Sequence, residues 1–150
     1  MEHLTRMTDA GIQRFRPAIY GVLLQGNEVL LVRAPQTLDA VVGFPGGGIE
    51  LGEAPLDALC REFSEETGLE IAPLRLLWAT TGFHRSRQNP QQQLLGIYWE
   101  VRAIGGTLRP GGNDDDVDEA FFCALHALPL GQMLGVDREM AQGLTQLLRT

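Results

Sequence analysis

The stretch Gly47–Leu69 reads GGIELGEAPLDALCREFSEETGL, and it decides what the rest of this chain has to do. Glu62, Glu65 and Glu66 are spaced three and four residues apart, which predicts that they share one side of a helix. Like charges this close repel each other, and a divalent cation would remove the repulsion. Oxygen ligands suit Mg²⁺ or Mn²⁺, so the spacing indicates a metal site. A solvated acidic face is the simpler interpretation, but it does not need flanking glycines.

Signals at both ends of this stretch predict a helix from Pro55 to just before Gly68. Proline is tolerated in the first turn of a helix, and glycine commonly follows the last turn. Apolar residues recur between them at helical spacing and predict a buried stripe of Leu56, Leu59, Cys60 and Phe63. The expected helix therefore has a core face and a separate carboxylate face.

Apolar segments on both sides of this helix predict strands near residues 18–24, 28–33, 48–50, 74–81, 94–103 and 117–124. A second helix is predicted over 137–149, with Asp137 as its N-cap. Its predicted buried stripe consists of Met140, Leu144, Leu147 and Leu148. Residues 1–16 are predicted to form an N-terminal arm, followed by one domain over 17–150. This order of elements predicts an α+β fold, an α/β/α sandwich with a mixed β-sheet between helices.

Composition narrows the class of protein. The chain has 150 residues, of which 44% are hydrophobic and 21% charged, as expected for one globular domain. A net charge of −7 argues against binding a nucleic-acid polymer through a broad basic surface. The apolar runs are too short to span a membrane, and the N-terminus lacks the apolar segment of a secretion signal. Cys60 and Cys123 do not make a disulfide framework, so a cytoplasmic location is expected.

The opening stretch resembles the signature of a known family, the Nudix box. That pattern is Gly, five residues, Glu, seven residues, then Arg-Glu-apolar-x-Glu-Glu-x-Gly-apolar. The positions that match it are Gly47, Glu53, Arg61, Glu62, Phe63, Glu65, Glu66, Gly68 and Leu69. Phe63 is the one mild departure, because an aliphatic residue is commoner there, and it concerns packing rather than chemistry.

This resemblance implies a Nudix hydrolase and an α/β/α sandwich. Such enzymes use Mg²⁺ or Mn²⁺ and water to cleave the pyrophosphate bond of a nucleoside diphosphate linked to another group X. A (d)NTP, a nucleotide sugar and ADP-ribose all remain open as the substrate. The alternative is a catalytically silent nucleotide-binding module, which would typically have lost one of the box glutamates.

The resemblance also implies roles for residues of the box. Glu62 and Glu66 would be the main metal ligands, with Glu65 as a further carboxylate and the carbonyl of Gly46 as another oxygen ligand. Arg61 would orient a catalytic glutamate, and Glu53 would support the loop before the helix. The general base stays open between Glu62, Glu65 and an acid outside the box. The resemblance thus implies that the catalytic residues are Glu65, Glu62 and Arg61, and that the metal-binding residues are Gly46, Glu62, Glu65, Glu66 and Asp116.

Asp116 is the outside acid. The run NDDDVDEA at 113–120 precedes a predicted strand, and the family often has an acidic residue at that point, where glutamate is commoner. A solvated acidic turn is the alternative interpretation. Glu100 is a weaker candidate for the same role.

The polar loop GFHRSRQNPQQQ at 82–93 supplies the predicted substrate-binding residues. Arg85 and Arg87 suit phosphate groups, and Phe83 is the expected exposed aromatic side chain. A mobile surface loop is the alternative. The expected partner is a small-molecule nucleotide, with neither a nucleic-acid polymer nor a membrane, and both a monomer and a homodimer remain open.

Overall fold

The computed structural model describes residues 11–150. Its strands are β1 Arg14–Gln25, β2 Glu28–Arg33, β3 Val42–Gly43, β4 Gly46–Gly48, β5 Leu69–Ala79, β6 Gln92–Gly106 and β7 Glu119–Ala124. Its helices are α1 Pro55–Thr67 and α2 Gly135–Leu147. No helix in the described part of the chain is long and apolar enough to cross a membrane.

Strand β1 organises the sheet. The order is β3-β2-β1-β6-β5, with β4 also paired to β1 and β7 to β2. β1 and β6 run parallel, while the other pairs are antiparallel. The sheet is therefore mixed, as the sequence predicts. Arg14–Arg16 belong to β1 although the sequence places them in an arm, and residues 1–10 of that arm lie outside the described residues.

Two hydrophobic cores cover the two faces of the sheet. Because side chains alternate along β1, Ile19 points to one face and Val22 to the other. On the first face Phe63 of α1 is fully buried, and on the second face Leu144 of α2 is fully buried. One helix on each face makes an α/β/α sandwich, which confirms the predicted fold class.

Helix α1 has the predicted ends but a different buried side. Gly68 follows the last turn with a φ of 83°, and its N–H donates to the Ser64 carbonyl at 2.9 Å. Leu56, predicted to be buried, is 37% exposed, and Ala58 takes a place in the core instead. Leu56 lies in the first turn of α1.

The predicted carboxylate face of α1 also needs correction. Glu66 follows Leu59 by seven positions, close to two full turns, so it points the same way as that core residue. Glu66 is accordingly buried at 7% exposure, while the side chain of Glu65 is 57% exposed. The three glutamates therefore do not share one solvated face, because Glu66 points inward.

Helix α2 begins earlier than the sequence predicts. Leu134 occupies the N-cap position and Asp137 lies in the first turn, so the prediction of Asp137 as N-cap is wrong. The Asp137 carboxylate instead turns toward the sheet, where it accepts a hydrogen bond from the Tyr98 hydroxyl at 2.6 Å. Met140 and Leu144 are buried as predicted, and Leu147 and Leu148 pack at the edge of the same core.

Candidate functional site

Glu62 and Glu66 lie directly against the short glycine strand β4. The backbone N–H of Gly46 donates to Glu66 Oε1 at 2.7 Å. A Cβ atom at Gly47 would lie 2.7 Å from the carboxyl carbon of Glu62 and 2.8–2.9 Å from its oxygens. Only glycine therefore leaves room for the Glu62 carboxylate beside the strand.

Arg61 is held by the loop that precedes its own helix. Its Nε donates to Glu53 Oε2 at 2.8 Å and its Nη2 to Glu53 Oε1 at 2.9 Å, a bidentate pair. Its Nη1 donates to Glu62 Oε1 at 3.0 Å and lies 3.5 Å from Glu65 Oε2. Arg61 is thus within ion-pair range of Glu65, but its shorter contacts are with Glu53 and Glu62. Arg61 thus ties the loop to one box carboxylate.

Burial and crowding set the electrostatics of these acids. Burial raises the pKa of Glu66 well above its usual value, and the hydrogen bond from Gly46 only partly opposes it. Burial also raises the pKa of Glu62, against the effect of Arg61, with smaller contributions from Glu65 and Asp116. Glu53 differs, because its hydrogen bonds with Arg61 lower its pKa to about 2. The site therefore combines one firmly ionised support with two carboxyls whose ionisation is disfavoured.

The acidic run reaches the site because two residues fasten it to the end of α1. Arg109 donates to the carbonyls of Ser64 and Glu65, and Asn113 donates to the Glu65 carbonyl at 3.4 Å. Cations at a helix C-terminus are favourable. Asn113 also donates to Asp116 at 2.7 Å, which holds that carboxylate within electrostatic reach of Glu62 and Glu66. These contacts join residues that are far apart in the sequence, so local sequence pattern does not indicate them.

The structure thus brings Asp116 beside the box, where it shares an open cleft with Glu62 and Glu65. Glu100, the weaker candidate, lies elsewhere and pairs with Arg75 at 2.8 Å. Over residues 11–150, no three Asp, Glu, His or Cys side chains already converge as a closed metal cage.

A second cavity, of about 400 Å³, lies on the other face of the sheet, between β1, α2 and the loops at 34–41 and 82–91. Its lining includes Arg16, Tyr20, His84, Arg85, Arg87 and Asp137. Arg87 pairs across the two loops with Asp39 at 2.9 Å. Phe83 is half-buried, and its ring packs 5.5 Å from the Arg85 guanidinium carbon. Of the predicted substrate-binding residues, Arg85 and Arg87 therefore line the cavity, while Phe83 packs against Arg85.

Asp137 is a half-buried acid that lines this cavity. Burial raises the pKa of Asp137 to about 7, against hydrogen bonds from Tyr98 and the Phe44 backbone. Tyr98 is fully buried and stacks on Tyr20 at 5.0 Å between ring centroids. The sequence placed Asp137 at a helix start, so nothing in its local pattern indicated a position in a cavity.

Residues 14–144 match the NUDIX domain. The chain belongs to the Nudix family. It is 34% identical over 113 residues to an ADP-ribose pyrophosphatase of Methanocaldococcus jannaschii, which covers 75% of this chain and 63% of that protein. It is 29% identical over 134 residues to the NAD-capped RNA hydrolase NudC of Pseudomonas aeruginosa, which covers 89% of this chain and 44% of that protein. The chain thus spans about half the length of these curated relatives.

Solved structures of other Nudix proteins have the same fold. A MutT Nudix hydrolase from Burkholderia pseudomallei aligns with a TM-score of 0.66 and 26% identity, covering 86% of this chain and 96% of that one. An ADP-ribose pyrophosphatase from Streptococcus suis aligns with a TM-score of 0.67 and 22% identity, covering 89% and 90%. The predicted family and fold are therefore confirmed.

Proposed function

We propose that this Nudix protein is a divalent-metal-dependent pyrophosphohydrolase that acts on a nucleoside diphosphate linked to another group X. The observation that carries the proposal is the placement of Glu62 and Glu66 against β4, one of them buried, with Glu65 and Asp116 beside them. Acids crowded together in this way are difficult to ionise without a cation. A purely structural helix gains nothing from the arrangement.

The donors at this site fit Mg²⁺ or Mn²⁺. Carboxylate and carbonyl oxygens are hard ligands, and the residues that line the cleft of Glu62, Glu65 and Asp116 include neither a cysteine nor a histidine. We assign Glu62 and Glu66 as the main ligands, with Glu65, Asp116 and the Gly46 carbonyl as further oxygens. A bound divalent ion neutralises phosphate oxygens and acidifies water.

The chain's own residues supply positioning and proton transfer. Arg61, fixed by Glu53, holds Glu62 in place beside the glycine strand. Glu65 is the most exposed of the box glutamates, and we assign it as the base that accepts the proton of the attacking water. Water adds to one phosphorus as one P–O bond of the bridge breaks, and ADP-ribose would then give two phosphate monoesters. Glu62 remains the second candidate for the base.

The cavity on the α2 face is the proposed seat of the nucleoside. Its walls combine the Tyr20 ring with aliphatic side chains such as Val42 and Leu94, which suits a flat heteroaromatic base. Arg85 and Arg87, at its rim, are proposed to contact the polar remainder of the substrate. The similarity to an ADP-ribose pyrophosphatase favours ADP-ribose as the first compound to test.

The test is a panel of compounds incubated with the protein and Mg²⁺, with products identified by chromatography and mass spectrometry. The panel contains ADP-ribose, NAD, UDP-sugars, (d)NTPs, dinucleoside polyphosphates and an NAD-capped RNA. We expect ADP-ribose to yield AMP and ribose 5-phosphate. Hydrolysis of the RNA in preference to every small molecule would contradict a small-molecule substrate. No hydrolysis of any compound would favour the silent nucleotide-binding module.

The cellular location and the oligomeric state of the protein are separate proposals. We propose a cytoplasmic location, which fractionation of the source cells would test. A homodimer and a monomer differ twofold in mass, so light scattering of the purified chain decides between them.

A further inference from the structure

Arg16 is a cation on the wall of the α2-face cavity, at a position that the sequence had placed in the N-terminal arm. Side chains alternate along a strand, so Arg16 and Tyr20 point to the same face of β1. That face is opposite to the one on which Phe63 of α1 packs. Arg16 therefore belongs to the cavity side of the sheet and not to the carboxylate side.

Only a strand of backbone separates Arg16 from the box. A Cβ atom at Gly48 would lie 3.0–3.2 Å from the Nη2, Nε and Cζ atoms of Arg16, so the flat guanidinium lies on that glycine. The neighbouring Gly47 meets Glu62 in the same way from the other side. Successive glycines of β4 thus carry the proposed metal site on one side and a guanidinium on the other. A phosphate chain passing over this strand would meet both.

No carboxylate among residues 11–150 forms an ion pair with Arg16. With the residues the structure describes, Arg16 makes no ion pair and no side-chain hydrogen bond. Arg61, Arg75 and Arg87 each pair with a carboxylate. Arg16 is also half-buried, and a partly desolvated cation is favourable only when an anion accompanies it. Its planar fork of donors matches a phosphate.

We propose that Arg16 binds the 5′-phosphate of the nucleoside seated in the α2-face cavity. This inference rests on the proposed function, since it assigns the phosphate nearest the nucleoside to one side of β4 and the cleavage machinery to the other. Arg16 is then a substrate-positioning and specificity residue. It distinguishes a nucleotide from a nucleoside, and it does not take part in the bond-breaking step.

Equilibrium binding tests the inference without any turnover. The dissociation constants of the four ribonucleoside 5′-monophosphates, their nucleosides and inorganic phosphate would be measured by calorimetry, in EDTA, with the full chain. The variants are Arg16→Gln, Arg16→Lys and Gly48→Ala, the last of which leaves the charge but displaces the guanidinium. Arg14→Gln is the matched control, because Arg14 is exposed on the same face of β1 and does not line the cavity.

The expected result is a loss confined to the phosphate. Arg16→Gln should weaken the tightest-binding monophosphate about tenfold to a hundredfold and leave its nucleoside unchanged, as for the loss of a charge-assisted hydrogen bond. Arg16→Lys should retain part of the affinity, Gly48→Ala should lose several-fold, and Arg14→Gln should match wild type. Tighter binding of inorganic phosphate than of any monophosphate would assign the site to free phosphate and overturn the proposal.

Two further outcomes would also overturn it. Either wild type binds monophosphates no more tightly than nucleosides, or Arg16→Gln weakens both ligands equally. The result is separable from the fate of the proposed function. If wild type hydrolyses no compound of the panel but monophosphate binding depends on Arg16, the function fails and this inference stands. If hydrolysis occurs and Arg16→Gln leaves both KM and monophosphate affinity unchanged, the proposed function stands and this inference fails.

Discussion

The two faces of the sheet carry different kinds of candidate functional residues. On the α1 face, the box glutamates and Arg61 come from one continuous stretch and are joined by short contacts, such as the bidentate pair between Arg61 and Glu53, while Asp116 comes from a distant segment. On the α2 face, the cavity is assembled from β1, two loops and the start of α2, with Arg16 and Asp137 far apart in the chain. In the proposed function, the first face carries out the reaction, and the second face selects the substrate.

In the proposed function, the thin strand β4 separates the metal site from the nucleotide-binding cavity. Gly47 faces Glu62 and Gly48 faces Arg16, so neither side could approach the backbone if the strand carried ordinary side chains. Substitutions on the α1 face are expected to lower turnover. Substitutions on the α2 face are expected to change substrate recognition and stability.

The largest effect is expected from the box glutamates. Glu62→Gln or Glu65→Gln should lower kcat about a hundredfold or more, because each removes a charge from the proposed metal and base constellation. Steady-state kinetics with the substrate found in the panel measures it, and thermal melting checks that the fold is intact. Glu70→Gln, at an exposed position on β5, is the control. Wild-type rates in both box variants would refute the assigned roles.

A smaller loss is expected from Gly47→Ala. The added Cβ would lie 2.7 Å from the Glu62 carboxyl carbon, so the carboxylate must move. Displacement of a reacting group by about 1 Å can cost about a hundredfold, so a drop in kcat of about tenfold to a hundredfold is expected. Gly131→Ala, where an added Cβ meets nothing within 4 Å, should have no effect. Equal kcat values for the two alanine variants would show that β4 does not restrict the position of the Glu62 carboxylate.

Glu53→Gln should lower kcat about tenfold, because groups that orient a ligand typically contribute that much. The amide keeps the shape of Glu53 but loses the charge that holds Arg61. Glu50→Gln is the matched control, since Glu50 is 75% exposed and lies 4.0 Å from the same guanidinium. Equal kcat values for the two variants would show that Glu53 does not position Arg61.

On the α2 face, Asp137→Asn should change stability more than chemistry. The pKa of about 7 exceeds the usual value for aspartate, so between about pH 4 and 7 the folded protein holds a proton that the unfolded chain releases. Wild type therefore loses stability as the pH rises through that window, by at most about 1.4 kcal/mol per pH unit.

The comparison is made by thermal melting from pH 4 to 8. Relative to wild type, the stability of Asp137→Asn should improve up to about pH 7 and then level off. Tyr98, Tyr20, His84 and Glu139 surround or adjoin this acid and are present in both proteins; His84 Nε2 lies 2.9 Å from Glu139 Oε2. Asp57→Asn, at an exposed position of α1, provides the control. A stability difference that does not vary with pH would contradict the burial of an ionisable Asp137.

Local sequence pattern was enough to predict the ends of α1 and the residues of the box. Pro55, Gly68 and the glutamates act through neighbours within a few turns, so their spacing predicts the helix and the box. The depth of Glu66 was not predicted, because a carboxylate on the core side violates the usual separation of polar and apolar faces. Its partner, the N–H of Gly46, lies on a separate strand.

The α2 face could not be predicted in the same way. Arg16 looks like part of a polar arm until β1 pairs with β6, and Asp137 looks like a helix cap until Tyr98 donates to it. The tether from Arg109 and Asn113 to the end of α1 likewise joins residues more than forty positions apart. Contacts at this range are set by the topology of the sheet and leave no periodic signal in the sequence.

The central claim is that the carboxylates of the α1 face cleave a pyrophosphate bond with a divalent cation. Its most direct test is the rate of ADP-ribose hydrolysis by wild type in EDTA, followed by titration with Mg²⁺ and, separately, Mn²⁺. The expected result is no turnover in EDTA and a rate that rises with added metal to saturation, releasing AMP and ribose 5-phosphate. Turnover at the same rate in EDTA would contradict the claim, as would no turnover of ADP-ribose or of any other compound of the panel at any metal concentration.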